Sequence, residues 1–494
     1  MSDYLLAIDQ GTTSSRAIIF SKKGELLSQH QIVLKQSFPE NGWVEQDPMM
    51  MWFNTLECCQ QVLRNKNLSA NAIAAIGITN QRETTIIWDR ITGEPIYPAI
   101  VWQDRRTTDI CKQIRQLPIY SQLQSKTGLL VDPYFSATKI MWLLNTIPGA
   151  YERAVRGELA FGTVDTFLLW QFTKGKVHAT DATNASRTLL YNIRTQEWDK
   201  EILTAFNIPE AILPIVLDSS AEFGYVDKNF FGSPILIGAM IGDQQAATVG
   251  QACFSPGMIK STYGTGCFML LNTGHELIES NNKLLSTIAY RLNGKVTYGL
   301  EGSIFSAGMV IKWLRDKLKL IKTADESEVF ARRVDETGGV FLVPAFSGLG
   351  APYWDPNARA AILGLTGNSM AEHIVRAALE STGYQTRDLL SAMKEDCKTN
   401  ITLLRVDGGM VVNDWLMQFL ADILSITIQR PRLKETTALG AAFLAGLQAG
   451  IYQSLQEVAD LWQKDSDFLP SMNTHQYNEL YAGWKKAVMS VIED

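Results

Sequence analysis

The chain has 494 residues, of which 46% are hydrophobic and 19% charged, with 45 basic side chains against 51 acidic ones. That length accommodates roughly two to four domains, each with its own core. The net charge of −6 argues against a general nucleic-acid binder, and the longest apolar run, ten residues from Ala438 to Leu447, is glycine-interrupted and too short to cross a bilayer.

Asp3 and Asp9 stand where a signal peptide would be apolar, so none is expected. Six cysteines without a CxxC predict reduced thiols of a cytosolic protein, and five scattered histidines give no metal-ligand spacing. In chain order, Leu5 to Ile8 form a short apolar run that predicts a buried strand, closed by Asp9. Gly11 permits a sharp turn, Thr12, Thr13, Ser14 and Ser15 line it, and Ala17 to Phe20 begin a second strand. Such a hairpin can cradle phosphates, with Asp9 placed to hold a metal ion through water; an ordinary hairpin with a polar tip has the same pattern. Glu25 to Val33 predicts a third antiparallel strand. Asp47 and Pro48 predict an N-cap and first helical position.

The buried strand AAIGIT ends at Thr79 and runs straight into Asn80, Gln81, Arg82 and Glu83. Four polar side chains between two apolar segments point to ligand contact, with a structural ion pair as the alternative. Ile100 to Arg106 repeats the arrangement around Trp102, which as a lone tryptophan could equally be core. A helix is predicted from Ser136, and Phe161 to Trp170 reads as a strand running into a helix. Further on, Ile235 to Gly242 is an apolar strand, and Asp243 opens a helix of small residues as its N-cap or as something more.

Gly257 to Leu271 then repeats the opening hairpin about half a chain later, with Gly264-Thr265-Gly266 at its turn. The repeat implies a duplicated α/β architecture, with a boundary at 250/251. Gly308 falls near a helix start, and Leu403 to Asn413 gives a third strand-to-glycine turn. Helices over Thr437 to Gly450 and Gln476 to Ile492 close the chain. There is no GxxxxGK[ST] and no well-placed GxGxxG. What remains is the order Asp9 to Thr13, Tyr263 to Gly266, Val406 to Gly409: two phosphate hairpins and a glycine pair, suited to a nucleotide clamped between two related domains.

At these residues the chain resembles the FGGY carbohydrate kinases of the actin, Hsp70 and sugar-kinase superfamily, and most closely those acting on glycerol. The resemblance runs nearly end to end, through GITNQRETT (77–85), AIVWQDRR (99–106), DPYFSATK (132–139), FGTVDT (161–166), GDQQAA (242–247), YGTGCFML (263–270), FSGLGAPYWDP (346–356) and RVDGG (405–409). It implies an α/β fold of two ribonuclease-H-like, actin-like ATPase domains, residues 1–250 and 251–494, with a cleft between them. It also implies ATP-dependent phosphorylation of glycerol with Mg²⁺, in the cytoplasm, by a homo-oligomer (dimer or tetramer) without nucleic-acid or membrane partners.

By the same resemblance Arg82, Glu83, Tyr134 and Asp243 match hydroxyl-binding positions, with Gln244 beside them. Trp102 and Phe268 match an apolar wall, and Asp243 the general base; Mg²⁺ would lie near Asp9 and Asp243. Thr12, Thr13, Ser14 and Arg16 match the first phosphate hairpin and Thr265 the opposing one, while Gly308, Gly409 and Asn413 face adenosine. Lys312 departs from the glutamine that relatives often carry and is expected to reach phosphate or solvent. The segment Asp227 to Pro234 lacks both the arginine of a sugar-bisphosphate loop and the histidine of a phosphorylated HFYG-like segment, Asn229 standing there instead, so neither control is expected. Two other readings fit parts of the pattern: a kinase for a pentulose or gluconate, and a nucleotide-dependent switch of the actin or Hsp70 type.

Overall fold

A computed structural model describes residues 3–355 and 357–492; Pro356, the last residue of the FSGLGAPYWDP stretch, lies outside them. The first half is built on a five-stranded sheet of Tyr4–Gln10 (β1), Ser14–Ser21 (β2), Leu26–Val33 (β3), Ile73–Asn80 (β4) and Ile237–Gly242 (β5), in the order β3-β2-β1-β4-β5. β1 to β3 pair antiparallel, and β4 and β5 add in parallel beside β1. Parallel addition needs long crossovers, which is why β4 and β5 come from far along the chain. Their residues are almost continuously apolar and buried, as a sheet covered on both faces demands.

The second half repeats the plan. Ile259–Tyr263 (β6) pairs antiparallel with Cys267–Gly274 (β7), and β7 with Lys295–Ile304 (β9), while Leu403–Asp407 (β10) and Thr427–Pro431 (β11) add in parallel. Leu285–Leu292 (β8) and Lys464–Phe468 (β12) extend the two edges, giving the order β8-β9-β7-β6-β10-β11-β12. Strip those edges and the order β9-β7-β6-β10-β11 matches the first sheet strand for strand. The duplication expected from the two hairpins is therefore present in the topology of both sheets, each of the ribonuclease-H type.

Seven helices matter for the site: Pro48–Asn65 (α1), Ser136–Thr146 (α2), Asp243–Gly250 (α3), Gly308–Asp316 (α4), Ala371–Cys397 (α5), Asp414–Leu424 (α6) and Thr436–Gln448 (α7). Asp47 caps α1 by accepting from Met49 and Met50, and Asn413 caps α6 through Leu416. The segment after Glu83 is strand only over Ile86–Asp89, which leaves the main sheet and pairs with Leu159–Gly162. The stretch carrying Trp102 is strand only at Ala99–Ile100, paired with Glu45–Gln46, and loop beyond. The terminal helix spans Thr474–Met489.

The two lobes share a core. Leu5, Ala7 and Ile18 of the first sheet, Leu270 and Ala289 of the second, and Ala441 and Leu444 of α7 form one buried apolar cluster. α7 belongs to the second half of the sequence yet lies against the first sheet and crosses α3. No helix among the described residues is long and apolar enough to cross a membrane.

Candidate active site

The site lies where the C-terminal ends of β1, β4 and β5 face the β6–β7 hairpin, the usual location for ligands in an open α/β sheet. The first hairpin is closed by a bond from the Gly11 amide to the Ser14 carbonyl, 3.0 Å. Its tip is held from behind: the Gln46 amide donates to the Thr12 carbonyl at 2.6 Å, and the Gln81 amide donates to Gln46 at 2.8 Å. Arg16 reaches Asp9 and Glu435, each at 2.5 Å, so the hairpin is tied to the start of α7. Ser15 turns inward and bonds Gln10, leaving Thr12, Thr13 and Ser14 at the tip.

The second hairpin stands opposite. The Thr265 carbonyl accepts from the amides of Ala307 and Met309, and the Gly308 amide donates to the Gly264 carbonyl. A Cβ on Gly308 would fall 2.6 Å from that carbonyl, so only glycine lets α4 begin this close to the hairpin. Lys312 is exposed one turn further along α4. Gly409 is exposed after β10, and Asn413 follows at the start of α6.

Between the hairpins lies an aromatic corner. The Trp102 ring stands edge-on to Tyr134, with centroids 5.6 Å apart, and to Phe268, 6.3 Å apart. Its indole N–H donates to the Thr12 hydroxyl at 2.9 Å, joining the apolar wall to the first hairpin. The structure therefore places Trp102 in the cleft rather than in a core. Tyr134 sits on a loop that Lys139 pins down. The buried Lys139 ammonium donates to the carbonyls of Pro133, Tyr134 and Phe135, and burial pushes its pKa down to about 8.

Asp243 opens α3 beside this corner with its side chain 30% exposed. Burial in the cleft, reinforced by Glu83 and Asp9 against the pull of Arg82, pushes its carboxyl up to about 6. The Arg82 Nε is 3.2 Å from Asp243 Oδ1. Next to it, the Gln244 side-chain oxygen accepts from the buried Lys260 ammonium at 2.6 Å, and Lys260 also reaches toward the Phe268 carbonyl.

Arg82 and Glu83 are both buried, and both do form ion pairs, though not with each other. Arg82 makes two parallel bonds to Glu301, at 2.5 and 3.0 Å, and Glu83 takes the Nε of Arg187 at 2.6 Å. The ion-pair reading of these residues is thus correct as far as it goes, and the pairs lie in the cleft. Glu83 has φ of 62°, a left-handed conformation that a non-glycine residue adopts at some cost, of the kind that concentrates at functional sites. Glu301, Arg187, Gln245, Lys260, Gln46 and Lys139 were not singled out from sequence. A lone glutamate in the apolar strand β9 was the one available signal.

Every sequence-predicted site residue lies on one of the two hairpins, the corner between them, or the α4 and β10–α6 turns beyond the second hairpin. The arrangement offers two sets of phosphate donors, a carboxylate poised to take a proton, an apolar wall, and fixed cations.

Comparison with known proteins agrees in extent. Residues 4–250 match the N-terminal domain model, and residues 259–449 the C-terminal domain model, of the FGGY family of carbohydrate kinases. A protein of Coxiella burnetii named glycerol kinase is 60% identical over 489 residues, covering 99% of this chain and 97% of the relative. One of the same name from Alcanivorax borkumensis is 58% identical over 490 residues, covering 99% and 98%. Among solved structures, Plasmodium falciparum glycerol kinase with ADP superposes with a TM-score of 0.93 at 38% identity, covering 99% of this chain and 98% of the other. A ligand-bound xylulose kinase of Lactobacillus acidophilus gives 0.88 at 21% identity, with the same coverage, which reflects the shared fold.

Proposed function

The chain belongs to the FGGY family of carbohydrate kinases, and from that membership we propose that it transfers the γ-phosphoryl group of ATP to glycerol, forming sn-glycerol 3-phosphate and ADP. The observation that carries this reading is the meeting of Asp243, Arg82, Trp102, Tyr134 and Phe268 in one small polar-and-apolar corner between two phosphate hairpins.

A three-carbon triol needs its hydroxyls fixed and its carbon chain held flat. Arg82, Glu83, Tyr134, Asp243 and Gln244 supply the polar contacts, and Trp102 and Phe268 the wall. Asp243 accepts the proton of the attacking hydroxyl as its oxygen bonds to the γ-phosphorus and the bond to the leaving ADP oxygen breaks. A carboxyl raised by burial is a stronger base than a solvated one and is still ionised near neutral pH.

On the nucleotide side, Thr12, Thr13, Ser14 and Arg16 face the phosphates from one lobe and Thr265 from the other. Gly308, Gly409 and Asn413 accept adenosine, and the exposed Lys312 reaches phosphate or solvent. Residues 1–250 thus carry the acceptor site apart from Phe268, and the first hairpin, and 251–494 the second hairpin and the adenosine side. Asp9 and Asp243 suit Mg²⁺: the Asp9 charge is felt at Asp243, and among the described residues no cluster of three or more His, Cys, Asp or Glu could hold a metal alone. Mg²⁺ takes few protein carboxylates and keeps phosphate oxygens and water, which fits a pair of this kind. When bound it neutralises charge on the β- and γ-phosphates.

A panel of glycerol, xylulose, gluconate and no acceptor in a coupled ADP-release assay tests the assignment. Glycerol should stimulate release well above the other three. Preference for either sugar would move the enzyme to another branch of the family, and release indifferent to acceptor would indicate a nucleotide switch.

A further inference from the structure

Arg82 and Glu83, assigned above to the acceptor, belong to the first lobe, but the carboxylate that grips Arg82 does not. Glu301 lies in the middle of β9, in the second sheet, 219 residues from Arg82. It grips the Arg82 guanidinium through two parallel bonds and takes Arg187 Nη2 at 3.0 Å on the same oxygen that accepts Arg82 Nη2. Arg187 in turn holds Glu83. Gln245 of α3 adds a bond to Arg82 Nη1 at 3.1 Å, and its amide is anchored on the Ile288 carbonyl of β8. The four charges alternate in sign, cancel, and are all at most 3% exposed. Burial alone would raise the Glu301 carboxyl, yet the two guanidinium groups hold it down to about 2.

Such an arrangement is costly to desolvate and adds little to stability compared with apolar packing. Its geometry serves another end. Fork-to-fork pairing fixes the plane of a guanidinium, and fixing the plane of Arg82 fixes where its Nε lies, 3.2 Å from Asp243 Oδ1. We propose that Glu301 is a positioning residue of the acceptor site: a carboxylate delivered by the second lobe that sets Arg82 directly and Glu83 through Arg187. The inference rests on the glycerol-phosphorylating reading. It adds that the second lobe, which already supplies Phe268 to the apolar wall, also sets the polar side of the acceptor site.

The test is steady-state kinetics of Glu301→Gln with glycerol and ATP varied separately, beside its thermal melting. Glutamine keeps the size and one acceptor but cannot balance two guanidinium groups. The expected result is a loss of at least about tenfold in kcat/KM for glycerol, with KM for ATP within about twofold of the parent. Unchanged glycerol kinetics, or KM values for both substrates rising together with a lowered melting point, would overturn the proposal. Should this variant fail to fold, Arg187→Lys decides: it keeps the charge but cannot serve Glu83 and Glu301 together. A selective glycerol defect is then expected, and parent-like glycerol kinetics would refute it. If the parent prefers another polyol, the functional reading fails, and the same comparison run on that polyol still judges Glu301.

Discussion

At the scale of single residues the chemistry concentrates on Asp243. Its neighbours pull it both ways: Arg82 stabilises the carboxylate, while burial, Glu83 and Asp9 favour the proton. Asp243→Asn keeps size and most hydrogen bonding but cannot take the proton, so turnover should fall by about two to four orders of magnitude. ATP affinity should change far less, which fluorescence titration with nucleotide would check; turnover within a fewfold of the parent would remove Asp243 from the role of base. The difference between what sequence revealed and what it hid is also a residue-scale matter. Asp243, Arg82 and Trp102 stand out because each interrupts or ends an apolar strand. Glu301 interrupts one too, but its partners lie 219 and 114 residues away, and spacing cannot name a partner across a fold. Lys139 was hidden differently: within a helical pattern it reads as a solvated charge, whereas its ammonium folds back onto three carbonyls.

At the scale of elements, the small sheet of Ile86–Asp89 and Leu159–Gly162 is locked to the following segment by His178. Its Nε2 lies 2.8 Å from the Phe161 carbonyl and so carries the proton, leaving Nδ1 to accept from Arg90 at 3.1 Å. Trp88 and Trp170 stand edge-on to the ring. Burial, and to a lesser degree Arg90, pushes the imidazole pKa down to about 4, against the help of the Phe161 bond. A second proton would have to enter where Arg90 already donates. Above the ordinary histidine pKa both folded and unfolded chains hold His178 neutral. As pH falls below it the unfolded chain takes up the proton first, so stability is lost between about pH 6.5 and 4. Between pH 7 and 5 the parent should lose about 2 kcal/mol more in urea unfolding than His178→Gln, which can still donate and accept without titrating. Equal acid losses in the two proteins would show that this imidazole does not report on folding.

For the whole molecule the decisive contact is the crossing of α3 and α7. The two helices fill the space between the sheets, and α3 also presents Asp243 and Gln244 to the cleft. Their backbones meet at glycine: a Cβ on Gly440 would lie 1.9 Å from the Ala246 carbonyl, and one on Gly250 equally close to the Thr436 carbonyl. Sequence showed a glycine-broken apolar helix here and read it as buried, but the glycines mean contact with another helix, which only the fold supplies. Because Glu435, the partner of Arg16, immediately precedes α7 and α3 begins at Asp243, the crossing sets the first hairpin and the base relative to each other. Thr436 also donates to Asp407, at the end of β10 in the second sheet, so the same crossing reaches the adenosine turn. Gly440→Ala adds one methyl group at the tightest point, where backbone rather than a flexible side chain must give way. Overpacking of this kind costs about 1–3 kcal/mol, and contact with backbone puts this site at the upper end. The lobes can absorb part of it only by moving apart, which separates the two hairpins. The variant should therefore melt at lower temperature and show raised KM for both ATP and glycerol, unlike Glu301→Gln, which should affect glycerol alone. Melting curves and two-substrate kinetics on the same preparations distinguish them. A Gly440→Ala protein with parental stability and parental KM values would mean that the helices have room to spare, and that their crossing does not set the width of the cleft.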